Sequence, residues 1–226
     1  MSLEHRHLVA VSYEVVLRDH AVPVVVRSEV LNLEDLTFQD AAERPSDPRV
    51  GRDLTDRVLD PVAEHEGERL LLGCRTVNSG MTLGVGVDHV ITTAAPHELS
   101  VWADGDCGEV VMTVDAQPGV PIRITKFITY QTSRSALARE LTGRCARTLD
   151  RAVRDGFDAL LASQRANLDR FWDRADVRID AGPDSPRFQQ AIRWNLFQLA
   201  QATWRAEGAG VRGCPARRGT STAVPV

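Results

Sequence analysis

Lysine is nearly missing from this 226-residue chain: Lys126 is the single example, and every other basic side chain is an arginine. Lys+Arg total 27 against 31 Asp+Glu, a formal charge of -4, so nothing global favours nucleic acid or an anionic membrane as partner. The arginines are scattered, which is ordinary surface use rather than a phosphate-binding cluster. Cysteine is also sparse. Cys74, Cys107, Cys145 and Cys214 lie far apart with no C-x-x-C pair and no clustered histidine, which argues against a zinc site. There is no signal peptide and no apolar run long enough to span a bilayer, so the expected setting is a reducing cytoplasm with free thiols. What the chain does have is 43% hydrophobic residues, ample for a core.

From residue 7 to about 132 that hydrophobic content falls in short runs rich in Val, Ile and Thr, separated by turn residues, as in an all-β sandwich. The runs are "HLVAVSYEVVL", "AVPVVVRSEVLN", "RLLLGCRTV", "MTLGVGVDHVI", "LSVWAD", "EVVMTVDA" and "VPIRITKFITY". Val9, Val11, Tyr13 and Val15 alternate as a strand with one buried face requires. In the last run Ile122, Ile124 and Phe127 alternate until the phase shifts near Lys126, which suggests a bulge. Asp104-Gly105 reads as a tight hairpin with positive φ, and Pro118-Gly119 as the centre of a type II turn, each joining antiparallel neighbours. Residues 33–67 are polar, carry three prolines and show no sustained period; they read as a long loop.

After "YQTSR" the period becomes helical. Leu137, Leu141, Cys145, Leu149, Val153, Phe157, Leu160, Leu161, Leu168, Phe171 and Trp172 recur at three- and four-residue steps, with Gly143 and Gly156 expected to divide the stretch. "DVRIDAG" is a short extended link, and Ser185-Pro186 suits an N-cap and first helical position for "RFQQAIRWNLFQLAQATW". That helix has two apolar stripes, Phe188, Ile192, Leu196 and Leu199 on one and Trp194, Phe197 and Trp204 on another, so it expects partners on more than one side.

Three of these segments, "EVVMTVDAQPGVPIRITKFITYQTSR", "ARTLDRAVRDGFDALLASQRANLDRFWDRADVRI" and "RFQQAIRWNLFQLAQATW", resemble in order and spacing the amino-terminal region of glycoside hydrolase family 65. That family holds maltose, trehalose and kojibiose phosphorylases and some trehalose hydrolases. The resemblance covers about residues 7–210 and is weakest in 33–67. It implies a β-rich α+β fold: an antiparallel, galactose-mutarotase-like β-supersandwich, partial at its start, over 1–132; a helical linker over 133–178; and the first helix of an uncompleted (α/α)6 catalytic barrel over 179–210. Residues 211–226, "VRGCPARRGTSTAVPV", have no counterpart to the Phe-Trp-Asp segment that follows in the family, and are expected to reflect a frameshift or truncation.

The reaction implied by the resemblance is inverting cleavage of an α-linked glucose disaccharide by inorganic phosphate or water, with a glutamic acid protonating the leaving oxygen and no cofactor. Those groups belong to the barrel, so no catalytic, metal or cofactor residue is carried over, and the substrate-binding residues stay unassigned. The whole enzyme would take maltose- or trehalose-like sugars and phosphate, with a homodimer as the family habit. The alternatives are a stand-alone sugar-binding or assembly module, or a non-functional truncated product.

Other residues bear chemistry on paper. Asp104, Asp106 and Asp115 have calcium-loop spacing, but Glu109 stands where the loop needs glycine, and a hairpin turn is the expectation. His5 and His7 lack a third ligand and are expected in a frayed terminus, and His89 is expected to be structural rather than a general base. Trp172, Trp194 and Trp204 belong to packing stripes; Trp102, beside a turn, keeps a chance of stacking on sugar. Exposed apolar surface is expected around Phe188, Trp194, Leu196 and Trp204.

Overall fold

A computed structural model describes residues 2–32, 58–65, 67, 69–180 and 182–204. The chain forms two compact units, Met1–Ser163 and Gln164–Val226. Among the described residues of the first, eight strands make two antiparallel sheets. The larger has the order β1 (Leu8–Val16), β8 (Pro121–Ser133), β5 (Thr82–Thr92), β4 (Leu70–Thr76), β3 (Leu59–His65). The smaller has the order β2 (Val22–Leu31), β7 (Cys107–Ala116), β6 (His97–Ala103).

Two apolar layers hold this unit together. Leu70, Val87, Val110, Met112, Val114, Ile122 and Ile124 fill the space between the sheets. On the opposite face of the larger sheet, Leu8, Leu71 and Phe127 pack with Cys145, Leu149 and Ala152 of helix α1 (Ala138–Ala175). The run Leu70-Leu71-Leu72 is buried throughout because neighbouring residues point to different covered faces. The helix comes close where glycine allows it. A Cβ on Gly84 would sit 2.8 Å from the Leu141 Cβ and 2.9 Å from its carbonyl carbon. At one edge of the layer, Arg69 bridges Asp88 of β5 at 3.1 Å and Asp150 of α1 at 2.6 Å.

Several local expectations are corrected. The phase shift near Lys126 is no bulge, since β8 keeps continuous register with both β1 and β5. It marks a strand covered on both faces, by the second sheet through Ile122 and Ile124 and by α1 through Phe127. The bulge lies instead in β3, between Pro61 and Ala63. That strand falls inside the segment 33–67 read as loop, where its proline and charges hide a short edge strand; residues 33–57 lie outside the described part. Gly119 takes φ 76° in a turn closed from Val120 N–H to the Gln117 carbonyl at 3.2 Å, as expected. The strands it joins are not neighbours, however, because β7 and β8 belong to different sheets. Asp104-Gly105 does join paired strands, yet Gly105 is not among the positive-φ glycines. The Asp104 carboxylate makes the turn instead, accepting from the N–H groups of Asp106 and Cys107 at 3.0 and 2.9 Å. Gly143 stays helical. Gly156, at φ 77° and ψ 165°, is the break in α1.

In the second unit a short 3-10 turn, Gly182–Asp184, leads into helix α2 (Ser185–Trp204). The Ser185 hydroxyl donates back to the Gly182 carbonyl at 2.8 Å. The extended link before it is stapled to α2 by two residues one turn apart. Gln189 accepts from Ile179 N–H at 3.0 Å and donates to the Val177 carbonyl at 2.6 Å, while Arg193 grips both oxygens of Asp176. That grip holds the Asp176 carboxyl below its usual range and raises Arg193 further.

Candidate functional site

The face of the larger sheet that meets α1 changes character along its strands. Register places Ala10, Phe127 and Asp88 in one neighbourhood, then Ser12, Thr125 and Val90 in a row, then Glu14, Arg123 and Thr92 in the next. Helix α1 covers the first part, where Ala10 and Phe127 pack against it and buried Asp88 pairs with Arg69. Near the polar rows its helical path is broken at Gly156, and a cleft of about 500 Å³ remains. Its walls combine Ser12, Glu14, Arg123 and Thr125 from the strands with Val153, Phe157 and Asp158 from the helix. Thr125 is buried and donates to the Ser12 hydroxyl at 3.2 Å. Arg123 donates twice to one oxygen of Glu14, at 3.0 and 3.2 Å, which leaves the other oxygen of that carboxylate outside the pair. Both partners are largely exposed, so the pair adds little stability.

His89 points the other way, into the space between the sheets. Its Nε2 lies 2.9 Å from the hydroxyl of buried Ser28 in β2, and its strand partner is Lys126. Burial first, and the nearby Lys126 charge second, push its pKa down to about 4. The ring is therefore neutral at pH 7 and ties one sheet to the other, the structural role expected of it. Burial also lowers Lys126.

The other sequence candidates are dispersed. His5 and His7 are not in a frayed end. Ser2 N–H donates to the Leu8 carbonyl at 3.0 Å, His5 N–H to the Ser2 hydroxyl at 2.9 Å, and Ser163 bonds the Glu4 carboxylate, so the start of the chain is folded down. The His7 ring meets Tyr130 edge-on at 6.2 Å. Asp104 and Asp106 sit at the turn between β6 and β7, whereas Asp115 is near the far end of ten-residue β7, so the three do not converge. Among the described residues no three His, Cys, Asp or Glu side chains are grouped to hold a metal. Trp102 is exposed, in the edge strand β6 opposite Glu109. Cys74, Cys107 and Cys145 are free thiols, and burial pushes Cys145 up to about 11; Cys214 lies outside the described residues. No helix among them is long and apolar enough to cross a membrane.

The second unit carries a different surface. A groove of about 710 Å³ is lined by Trp172, Trp194 and Phe197, with Arg187, Gln190 and Arg193 along it. Phe188, Trp194 and Leu199 are exposed and Leu196 is half-buried; the Trp204 side chain and residues 205–226 lie outside the described part.

Fold and sequence then meet in one finding: the amino-terminal domain of glycosyl hydrolase family 65 matches residues 1–171. The chain belongs to this family. Uncharacterized glycosyl hydrolases of Mycobacterium tuberculosis and Mycobacterium leprae are each 35% identical over 208 residues, 92% of this chain and 25% of theirs. The α,α-trehalose phosphorylase of Thermoanaerobacter brockii is 27% identical over 210 residues, 91% of this chain and 26% of its own. A solved human-microbiome protein assigned as a kojibiose phosphorylase superposes with a TM-score of 0.56 over 65% of this chain and 19% of its own; at 21% identity it speaks for the sandwich-then-helices fold. The chain spans about a quarter of the length of the curated relatives it matches.

Sequence reasoning on this family 65 chain missed the cleft. Its residues come from four segments, β1, β5, β8 and α1, that pattern alone does not bring together, Glu14 and Arg123 being 109 positions apart. The one available signal was the mixture of Ser, Thr, Glu and Arg on strand positions that, two residues away, are apolar.

Proposed function

We propose that this chain is the amino-terminal, non-catalytic part of a cytoplasmic α-glucoside phosphorylase or hydrolase, with α2 as the first helix of its catalytic barrel. The intact enzyme would cleave a trehalose-, maltose- or kojibiose-like disaccharide with inversion, by phosphate or by water, and would take an α-linked glucose disaccharide and inorganic phosphate as partners, in a homodimer. The observation that carries this reading is the exposure of both apolar stripes of α2. A helix with Phe188 and Leu199 of one stripe and Trp194 of the other in water is half of a packing arrangement, and further helices are what such stripes bury against. The family relation supplies the chemistry those helices would bring. The free thiols suit a reducing compartment. The sandwich then serves to fold and present the barrel's first helix.

The test is turnover. The purified 226-residue chain, given trehalose, maltose or kojibiose with and without phosphate, is expected to release neither glucose nor glucose 1-phosphate. Steady release by this chain alone overturns the reading. A chimera in which it replaces the matching quarter of the Thermoanaerobacter trehalose phosphorylase is expected to phosphorolyse trehalose.

A further inference from the structure

The cleft at the Gly156 break has features that packing does not require. Under α1 this face is mainly apolar, with Thr129 and Asp88 buried beside Leu8, Ala10 and Phe127, and beyond the break it carries Ser12, Thr92, Thr125 and the Glu14–Arg123 pair. From these features we infer that the cleft is a binding site for a neutral saccharide of about two rings, separate from any barrel chemistry.

The chemistry narrows the ligand class. Ser12 and Thr92 offer hydroxyls that donate or accept, Arg123 offers donors only, and the Glu14 and Asp158 carboxylates accept only. Val90, Val153 and Phe157 supply an apolar wall. A sugar ring presents the matching set, hydroxyls around its edge and a C–H face. An apolar ligand would cover the Ser12 and Thr92 hydroxyls and the Glu14–Arg123 pair while offering them no hydrogen bonds in place of water. An anion would meet two carboxylates against one guanidinium. Size agrees as well. The rows cross three adjacent strands, about 10 Å at the usual strand spacing, which is the length of a disaccharide. Gly156 is what keeps the cleft open: its positive φ ends the first helical stretch before α1 can cover the polar rows, and a Cβ there would meet nothing within 4 Å. Which sugar fills the site rests on the α-glucoside reading above, but the presence of the site does not.

Calorimetric titration of the full 226-residue chain with trehalose, maltose and kojibiose tests this. Saturable binding is expected with a millimolar dissociation constant, the range open clefts of this polarity reach. Arg123→Met and Asp158→Ala, both at exposed positions and checked for an unchanged melting temperature, are expected to weaken it about fivefold or more. Trp194→Gln, in the other unit's groove, is expected to leave it unchanged. Inorganic phosphate is not expected to compete. The inference is overturned if no sugar saturates by about 50 mM, if the two cleft variants bind like the parent, if Trp194→Gln is the change that weakens binding, or if phosphate competes. None of these outcomes bears on the turnover assay, so a failure here is distinct from a failure of the proposed function.

Discussion

Phe127 and Trp194 are both large aromatic residues in regular elements, yet Phe127 is 1% exposed and Trp194 60%. The first lies in a strand that the second sheet covers on one face and α1 on the other. The second lies on a helix whose apolar face meets water. Burial of an aromatic side chain is worth roughly 1.5–3 kcal/mol, so the sandwich draws that stabilisation from its own residues, whereas Trp194 on α2 gains little of it here.

Breaking each region should therefore cost very different amounts. Leu149→Ala, in the layer between α1 and the larger sheet, is expected to lower stability by about 3 kcal/mol in urea denaturation, from lost burial and a residual cavity. Gly84→Ala is expected to cost about 2 kcal/mol, because its new Cβ meets Leu141 main chain that cannot rotate away.

A pH-dependent difference should follow from His89. Its folded pKa, about 4, lies below the usual 6.5, so the unfolded chain takes up a proton first as pH falls. The stability held above pH 6.5 is then lost between about 6.5 and 4, by about 1.5 kcal/mol once partial exposure is discounted. Denaturation midpoints across that window, compared with His89→Gln, should show the slope in the parent and a weaker one in the variant. At the small end, Trp194→Gln and Leu199→Gln are expected to change stability by less than about 0.5 kcal/mol. Both should reduce binding of a hydrophobic dye, the sign of an exposed apolar face.

The sequence reading reached the sandwich, and the break at Gly156, because local turn chemistry and local propensity decide those features; in β1 it chose the wrong face, since Val11 and Tyr13 are exposed while Leu8 and Ala10 pack under α1. It failed where two layers act at once. The apparent slip at Lys126 was a strand serving two cores, and the value of Gly84 appears only when Leu141, from a later segment, lies across it. The edge strand β3 hid among charges and a proline, which is how edge strands avoid unwanted pairing. The cleft was illegible for the same reason: register, rather than composition, sets Glu14 beside Arg123 and Thr92. The exposed face of α2 was legible because two apolar stripes on one helix require more covering surface than a single neighbour provides.

Native-state hydrogen exchange on the intact chain, read at the amides of β8 and of α2, tests the division between the two regions most directly. The account predicts that amides along Ile122–Thr129 exchange only through global unfolding of the sandwich, while those along Ile192–Ala200 exchange about a thousandfold faster or more through local opening of a helix with one face in water. Equal protection of both segments would contradict it, showing that α2 is already packed within this chain and needs no further helices.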